Sequence, residues 1–430
     1  MAKYKDFDDE IIFDSGSSNP VKSVRNKKKK KKTWILVVVL VVEFILIVGL
    51  LGVLYVVDKL SNIKRTPLNE DLIVINPDID NDTTEKLKGY TNILLLGTDS
   101  RDNSTDGLDK VGENHTDAML VASINNDSGE VRIISVYRDC LLEMNDIKTD
   151  KDFKNTVINK ATEAAFEYGI ESTITMINRN LDMDIKDYVM VNWAALIDIV
   201  DSIGGVDIEI TQMEQRWTNR YLVDTSKATG VSYEELDVYD DDDTKLSDEE
   251  LRMDSDKMNT RRMAHMDGIQ ATAFARVRYG DGKADYGRTE RQRKVIEQIV
   301  AKAKKFDIGR LNSILTAVTK NISTSFDINE ILDLATSITK YKLTMVDGGF
   351  PFTRNDQIRS KDGWKFADPV IPVTLESNVV KFHEKLFDST DYTPSTTVKN
   401  ISEKIIRLTG VYESVSYTHL RAHETRGNLV

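Results

Sequence analysis

Apolar residues recur along this chain in short runs that are separated by polar, turn-forming segments. Residues 92–97, 118–124 and 131–136 have the length and apolar content of buried strands, and residues 125–129 form a turn between the last two. Residues 155–181 instead show the spacing of an amphipathic helix. This alternation predicts an α/β domain in which helices sandwich the sheet.

The same alternation continues through the second half of the chain. Gly204 and Gly205 predict a turn within a strand–helix–strand unit, and the Ser/Thr-rich residues 389–402 are predicted to be loose. The further predicted elements are, in chain order: strand 188–191, helix at about 193–203, strand 206–210, strand 271–278, helix 287–306, two more helices, and a strand near 341–347.

One apolar run is far longer than any strand. Residues 34–57 contain a single ionisable group, Glu43, and a helix of this length would extend ~36 Å, enough to cross a ~30 Å hydrocarbon layer. Six lysines, residues 27–32, precede it, and residues 1–33 hold ten Lys/Arg against five Asp/Glu. The positive-inside rule therefore places the N-terminus in the cytoplasm and the remainder outside. A cleaved signal peptide is the alternative, but the run is too long and no small-residue cleavage site follows it.

Composition divides the chain into segments. Residues 58–90 are polar, contain Pro67 and Pro77, and are predicted to form a stalk. Residues 415–430 resemble translated sequencing-adapter read-through, so we expect that the natural C-terminus is missing. The predicted organisation is: cytoplasmic basic tail 1–33, transmembrane helix 34–57, stalk 58–90, extracytoplasmic domain 91–388 with its motif-bearing core at 91–306 and an acidic insertion at about 224–262, Ser/Thr-rich tail 389–414, and non-native read-through 415–430.

Charge and cysteine content exclude several classes of protein. The 430 residues include 58 Lys+Arg and 70 Asp+Glu, and the net charge of −12 excludes a generally nucleic-acid-binding surface, which needs a basic excess. The single cysteine, Cys140, excludes an intrachain disulfide framework and a cysteine-cluster metal site. No base that would activate its thiol lies nearby in the sequence, so Cys140 is predicted to be a packing residue.

The acidic insertion has two interpretations. Residues 234–256 hold twelve acidic and two basic side chains, including the run 240–243. A divalent-cation loop and a solvated insertion both fit this composition. The segment lacks the Asp/Gly/Glu spacing of a calcium loop, which favours the solvated insertion.

The strongest local signal is a cluster of five arginines within the 18 residues 276–293. In a strand, Arg276 and Arg278 would point to one face. The following helix places three side chains on one face, at spacings of three and four: Arg288, Arg291 and Gln292. Guanidinium groups suit bidentate recognition of phosphate oxygens, whereas surface ion pairs with neighbouring carboxylates are the alternative.

Two further signals lie at strand ends, where ligand groups of α/β sheets collect. Asp99 and Arg101 follow the first predicted strand, and Asp117 begins the second. Two carboxylates without histidine or cysteine suit a hard, oxygen-preferring ion such as Mg²⁺, although an aspartate after a strand is often only a turn former. Arg138 ends the third strand and would mean little by itself.

Taken together, these segments make the sequence resemble the LytR-CpsA-Psr family of membrane-anchored cell-wall transferases. The likeness covers roughly residues 91–306. It implies a single α/β domain with a mixed central sheet, which binds a polyprenyl-pyrophosphate-linked glycopolymer and transfers the polymer to peptidoglycan through a phosphodiester bond. The segments that carry it are: Asn92-Ile-Leu-Leu-Leu-Gly-Thr-Asp-Ser-Arg101, Thr116-Asp-Ala-Met-Leu-Val121, Ser135-Val-Tyr-Arg-Asp139, Ile203-Gly-Gly-Val-Asp207 and the arginine-rich residues 274–293.

The resemblance also implies roles for individual residues. Asp99 and Asp117 would be Mg²⁺ ligands, and Asp285 would be the general base for the attacking sugar hydroxyl. A catalytic role would fall to Asp285, Arg138, Arg276 and Arg278. The side chains implied to bind the pyrophosphate and head group are: Arg138, Arg276, Arg278, Arg288 and Gln292, with Arg101 as a further candidate.

The chain departs from the family pattern in four places, and two other functions stay open. Tyr137 replaces a usual proline, Cys140 a usual threonine and His115 a frequent arginine, and the acidic insertion is long. With water as acceptor, the same site would be a lipid-pyrophosphate hydrolase. A non-catalytic binding or regulatory protein of the transcriptional-attenuator type is the other alternative, although residues 1–33 are too short and polar for a folded effector domain.

Overall fold

The computed structural model describes the chain from residue 63 to residue 412 with several gaps. The described residues are 63–98, 115–239, 242, 244–247, 250, 258–279, 285–303, 322–337, 340–356 and 366–412. All of them belong to one compact unit, residues 57–430. Among them, no helix has the length and apolar character needed to span a membrane, and the predicted span 34–57 lies outside them.

A mixed sheet of seven strands forms the centre of this unit, in the spatial order β1-β10-β7-β2-β3-β4-β11. The apolar runs predicted as the first three strands are confirmed, each extended by one or two residues. The strands are β1 (Lys64–Arg65), β2 (Tyr90–Thr98), β3 (Thr116–Asn125), β4 (Glu130–Val136), β7 (Asp187–Val191), β10 (Ile322–Thr324) and β11 (Lys342–Phe350). Six further strands form three two-stranded sheets: β5 (Leu141–Met144) with β6 (Val157–Lys160), β8 (Val206–Thr211) with β9 (Arg261–Met266), and β12 (Arg354–Asn355) with β13 (Ile371–Pro372).

Strand direction determines which residues share an edge of the central sheet. β2 is parallel to β7 and antiparallel to β3, β3 is antiparallel to β4, and β4 is parallel to β11. The carboxyl ends of β2, β4, β7 and β11 therefore lie at one edge, together with the amino end of β3. We call this the carboxyl edge.

Ten helices surround these strands in the described part of the chain. Several begin at side-chain caps; for example, the Thr211 hydroxyl accepts from the backbone N–H of Glu214, whose carboxylate accepts from the N–H of Thr211. The helices are α1 (Asn81–Lys88), α2 (Glu163–Tyr168), α3 (Ile170–Leu181), α4 (Trp193–Ser202), α5 (Gln212–Thr229), α6 (Gly268–Arg276), α7 (Asp285–Ala303), α8 (Ile328–Ser337), α9 (Leu375–Phe387) and α10 (Thr396–Thr409).

Alternation along the strands gives the central sheet two buried faces. One face of β2, β3 and β4, with Leu94, Val121 and Ile134 fully buried, packs in the main core with residues of α3, α9 and α10. The other face, with Ile93 and Leu120, packs with residues of α7 and α8. A sheet covered by helices on both sides is the predicted α/β architecture, and it is confirmed.

Two segments predicted to be irregular are instead built into the domain. Lys64 and Arg65, in the predicted stalk, pair with β10, and Leu87 of α1 is buried in the main core. Within the predicted loose tail, α10 buries Ile401 and Ile405 against the same core. The stalk and tail predictions are therefore wrong for these residues, because their polar character belongs only to the exposed faces of short amphipathic elements.

A buried carboxylate ties the C-terminal helices to α3. Asp182, the left-handed C-cap of α3, is 1% exposed and accepts hydrogen bonds from Asn76 Nδ2 (2.6 Å) and the Tyr392 hydroxyl (2.6 Å). The Ser395 backbone N–H (2.8 Å) and hydroxyl (2.7 Å) also donate to it. Four donors compensate the desolvation of this charge, so the contact fixes the start of α10.

Candidate functional site

An ion pair at the carboxyl edge joins two of the residues implied by sequence. Asp117, the second residue of β3, accepts from Arg138 Nη1, two residues beyond the end of β4. Both side chains are partly buried, with 19% of Arg138 and 23% of Asp117 exposed. The antiparallel register of β3 and β4 brings the two residues together. Met119 pairs with Val136, and Asp117 and Arg138 lie two residues beyond this pair, towards the same edge of the sheet.

Two further charges hold Arg138 in place. Asp139 lies 3.7 Å from Arg138 Nε through its Oδ2 and accepts from Lys160 Nζ at 2.8 Å through its Oδ1. Its side chain is only 7% exposed, so its charge must be paired. The carboxylates of Asp117 and Asp139 thus alternate with two cationic groups along the edge, and these ion pairs fix the orientation of the Arg138 guanidinium.

Aromatic rings cover the neighbouring part of the edge. The ring of Tyr137 meets that of Tyr286, in the first turn of α7, edge to face at 4.8 Å. The Arg354 guanidinium lies 3.6 Å from the Tyr286 ring centroid and 5.0 Å from that of Tyr137. Burial raises the pKa of both phenols above their usual value, so each stays protonated and neutral. Tyr137, where the family usually has proline, therefore packs against this cation as a neutral aromatic.

The arginine-rich segment begins differently from its prediction. Residues 271–278 were expected to form a strand, but Gly268–Arg276 is a helix whose N-cap Asp267 forms a capping box with Gln270. Every residue from 268 to 275 is buried, so the helix lacks the polar face that would reveal its period. Arg276 is its last residue and Val277 its extended cap, so the predicted strand face shared by Arg276 and Arg278 is wrong.

Arg276 packs between α4 and α5. Its guanidinium carbon lies 3.7 Å from the centroid of the Trp193 ring and 5.8 Å from that of Tyr221. One amino group is 2.5 Å from the Thr225 hydroxyl. Trp193 is the first residue of α4, which follows β7 in the chain. Arg276 therefore packs against a residue close to the carboxyl end of a central strand.

Helix α7 carries three of the five arginines of the cluster, in two kinds of environment, whereas the half-buried Arg278 lies between α6 and α7. Arg291 is 1% exposed and donates to Glu214 Oε1 (3.1 Å) and to the Val277 carbonyl (3.1 Å), so it is structural and joins α7 to α5 and α6. Arg288 is buried and Gln292 half-buried, one turn apart. Arg293 donates to the Gly348 carbonyl of β11, which anchors this turn near the carboxyl edge.

Several implied site residues lie outside this description. Asp99 and Arg101 are not among the described residues, and only the backbone of Asp285, the first residue of α7, is described. Thr98, which precedes Asp99, pairs with Thr116, which precedes Asp117. Among the described residues, no group of three or more His, Cys, Asp or Glu side chains is placed to hold a metal ion. The carboxylate of Asp117 at a strand end is the donor type that Mg²⁺ prefers, so this half of the implied ligand pair fits the ion.

The predicted acidic loop is only partly described. Its residue Lys245 forms an ion pair with Asp237 at 2.5 Å, which is a local surface contact. The run 240–243 falls largely outside the described residues. Cys140 is fully buried, as expected for a packing residue, and burial raises the pKa of its thiol.

Comparison with known proteins decides the family. The LytR_cpsA_psr family model matches residues 56–360, about 70% of the chain. The chain belongs to the LytR-CpsA-Psr family. Of the LytR-CpsA-Psr motifs, the structure brings Asp117 and Arg138 together, and it places Arg276 against Trp193 rather than against either of them.

Curated relatives and a solved structure share this domain. Biofilm regulatory protein A of Streptococcus mutans is 28% identical over 271 residues, which cover 60% of this chain and 58% of that protein. The polyisoprenyl-teichoic acid–peptidoglycan teichoic acid transferase TagU of Bacillus cereus is 27% identical over 300 residues, covering 67% of this chain and 80% of that protein. A Streptococcus agalactiae protein of known structure is 20% identical with a TM-score of 0.50, covering 74% and 95% of the two chains, which shows the fold.

Sequence reasoning missed the supporting residues of this LytR-CpsA-Psr site. Asp139 follows Arg138 directly, and a charge next to a candidate anion ligand was an available signal. Lys160 and Arg354 gave none, because each is separated by more than 20 residues from the group it contacts. Their positions depend on the β5–β6 hairpin and on β12, which only the folded chain brings to the edge.

Proposed function

We propose that this protein transfers a glycopolymer, such as a teichoic acid or a capsule, from a polyprenyl-pyrophosphate carrier to peptidoglycan. The observation that carries the proposal is the Arg138–Asp117 pair at the carboxyl edge, held by Asp139 and Lys160. Membership of the family and the name of the Bacillus cereus relative, a teichoic acid transferase aligned over 67% of this chain, support it.

The transfer requires one bond to form and one to break. An acceptor hydroxyl oxygen of peptidoglycan attacks the phosphorus that carries the glycopolymer. The bond from this phosphorus to the bridging oxygen breaks, polyprenyl phosphate leaves, and the polymer remains attached through a phosphodiester. Such reactions need little covalent help from protein; they need neutralised oxygens and an aligned nucleophile.

Arginine side chains supply the neutralisation in this proposal. Arg138 is held beside the edge by two carboxylates, so it meets the pyrophosphate without reorganising, and a preorganised donor stabilises developing charge effectively. Asp285, at the start of α7, would take the proton of the attacking hydroxyl. The remaining proposed contacts to the pyrophosphate and head group are Arg101, Arg276, Arg278, Arg288 and Gln292.

A magnesium ion fits the carboxylate chemistry of the edge. Asp99 and Asp117 would hold it, and when bound it would neutralise charge on the phosphate oxygens. Arg138 already contacts one oxygen of Asp117, so the two cations would share this carboxylate. Chelation with EDTA should stop transfer and added Mg²⁺ should restore it, whereas transfer that continues in EDTA would remove the metal from the proposal.

The sequence also supports a location. The apolar residues 34–57 would anchor the chain in the cell membrane in a single pass, with the basic tail in the cytoplasm and the domain outside. The leaving group, polyprenyl phosphate, stays in the bilayer, so an anchored domain keeps the donor site near its lipid. Protease digestion of intact cells that spared the domain would contradict this orientation.

The replacement Arg138→Gln tests the function. Loss of a preorganised donor from a dry site lowers turnover on the order of 10²–10³-fold. The matched control is Arg132→Gln, because Arg132 is also 19% exposed and also pairs with carboxylates, Glu130 and Asp388, but lies near the start of β4 instead of beyond its end. Transfer from purified lipid-linked polymer to peptidoglycan is measured for both, with thermal melting as the check on folding.

The outcomes separate the alternatives. Loss of transfer only in Arg138→Gln supports the proposal, and near-normal transfer by that variant contradicts it. Release of free glycopolymer phosphate while acceptor is present would favour a hydrolase. The Streptococcus mutans relative is named as a regulatory protein. A phenotype that depends on the cytoplasmic tail and is insensitive to Arg138→Gln would favour that class here.

A further inference from the structure

One face of helix α5 runs beside the arginine segment. Trp217, Tyr221 and Thr225 are spaced by four residues, so they lie above one another on the same side of the helix. Thr225 and Tyr221 contact Arg276, as described above. Trp217, two turns earlier, meets the ring of Tyr279 at 5.1 Å. Residues 276–279 therefore follow the α5 face over a rise of ~12 Å.

The outer end of this face is exposed and cationic. Tyr279 is 55% exposed, although its ring rests on Trp217. Arg220 is also exposed, with its guanidinium carbon 4.5 Å from the Trp217 ring centroid. In a chain of net charge −12, an exposed guanidinium beside an exposed aromatic ring suits an anionic ligand with apolar faces.

We propose that this surface binds the sugar–phosphate chain of the donor glycopolymer, beside its pyrophosphate. We call it the aromatic strip: Trp193, Trp217, Tyr221 and Tyr279 with Arg220 and Arg276. Sugar C–H faces stack on the exposed ring of Tyr279, and the arginines contact the phosphates of the polymer.

Continuity with the proposed site selects the donor over the acceptor. The inference rests on the proposed function, in which Arg276 is one of the pyrophosphate contacts. The strip begins at Arg276 and leads away along α5 to Tyr279. On its polymer side, the pyrophosphate is covalently joined to the first sugars of the donor. These sugars are therefore the groups that reach the strip.

Donor length gives the first test. Transfer by the full-length chain in detergent is measured with a lipid-pyrophosphate donor that carries one sugar and with one that carries the long polymer. In Tyr279→Ala, KM for the long donor should rise about two- to tenfold relative to KM for the one-sugar donor, the range that one aromatic contact supplies. Tyr279→Phe keeps the ring and should restore the ratio. Tyr412→Ala is the control, because Tyr412 is also exposed but lies beyond α10.

If Tyr279→Ala changed KM equally for the long donor and the one-sugar donor, the proposal would be overturned. A rise in KM for the peptidoglycan acceptor alone would also overturn it, because the strip would then bind acceptor sugars. Arg220→Gln gives a second test. In this variant, the ratio of KM for the long donor to KM for the one-sugar donor should exceed that of the wild type at low salt and approach it at high salt. A salt-independent ratio would contradict the phosphate contact.

Direct binding separates this inference from the proposed function. Trp193 and Trp217 are two of the four tryptophans, so lipid-free glycopolymer should quench the protein's fluorescence. The protein could bind the glycopolymer with quenching that Tyr279→Ala weakens and yet transfer neither donor. That result would support the strip and contradict the proposed transfer. Transfer without any quenching, or quenching equal in wild type and Tyr279→Ala, would overturn the strip alone.

Discussion

Arg138 illustrates how a single side chain acquires a function from its neighbours. A guanidinium at the end of a strand means little by itself, and only the family resemblance singled Arg138 out in the sequence. Two carboxylates, Asp117 and Asp139, and the ammonium of Lys160 hold it in one orientation. The paired charges lower the cost of keeping it partly buried, so the diphosphate of the proposed donor would meet a cation that is already in place.

His383 gives a pH-dependent prediction for stability. The imidazole is 1% exposed, stacks on the Tyr392 ring at 3.8 Å, and bonds to the Leu181 carbonyl at 2.8 Å. Burial lowers its pKa from 6.5 to about 4, against smaller opposing effects that include that bond and Asp182. The unfolded chain therefore binds a proton between pH 6.5 and 4 that the folded chain does not, so stability is full above pH 6.5 and falls as the pH drops to 4.

The size of this effect is at most roughly 3 kcal/mol, from the difference between the two pKa values. His383→Gln cannot titrate, so the free energy of unfolding of this variant should vary less between pH 7 and 5 than that of the wild type. Urea unfolding curves at pH 7, 6 and 5 measure both. Parallel pH profiles for the two proteins would show that His383 does not titrate on unfolding.

Helix α6 shows where sequence patterns stop being informative. Strands β2, β3 and β4 were predicted nearly to the residue, because each is a short apolar run bounded by turn residues such as Gly129, whose φ is +69°. Residues 268–276 form an equally short apolar run but are a helix, since α4, α5 and α7 bury them on all sides. A fully buried element has no polar face, so its period cannot be read.

The contacts at the candidate site also differ in how far the sequence can predict them. The resemblance named Asp117 and Arg138 as separate site residues, and the antiparallel pairing of β3 with β4 brings them into contact. Lys160 and Tyr286 reach the edge from a hairpin and from a helix whose placement depends on tertiary packing. No local pattern encodes such contacts.

Gly268 is the tightest contact between α6 and α4. A methyl group at this first residue of α6 would lie 2.2 Å from the Ile197 carbonyl oxygen, so Gly268→Ala must separate the two helices. Overpacking of this kind costs about 1–3 kcal/mol, and it should lower the melting temperature accordingly.

The control for that substitution is Gly89→Ala. Gly89 has a φ of −74°, which alanine adopts, and its nearest contact would be 3.2 Å away. Its effect on the free energy of unfolding should stay within about 1 kcal/mol. Equal melting temperatures for both variants would mean that α4 and α6 can move apart without loss.

The family model ends at residue 360, but the folded unit continues beyond it. Helices α9 and α10 contribute fully buried side chains to the main core, among them Leu375, Val379, Phe382, Val398 and Ile405. Each such side chain stabilises the fold by roughly 1.5–3 kcal/mol, so together they are comparable with the typical net stability of a domain.

A chain that ends at residue 365 should therefore not fold. We expect it to lack a cooperative thermal transition in far-UV circular dichroism and to elute as aggregate. A chain that ends at residue 412 keeps both helices and should melt as the full-length protein does. A cooperative transition in the shorter chain would show that the sheet can close one face without α9 and α10.

The position of these helices in the sequence determines when folding can finish. The main core draws on residues from Leu87 to Val411, so nearly the entire polypeptide must have been synthesised before one side of the sheet is covered. A nascent chain of this design cannot complete its main core while it grows, because α9 and α10, which cover one face of the sheet, are synthesised last. Under the membrane orientation that we propose, this delay would suit export, since a polypeptide that has not yet folded can be threaded across a bilayer and fold on the far side.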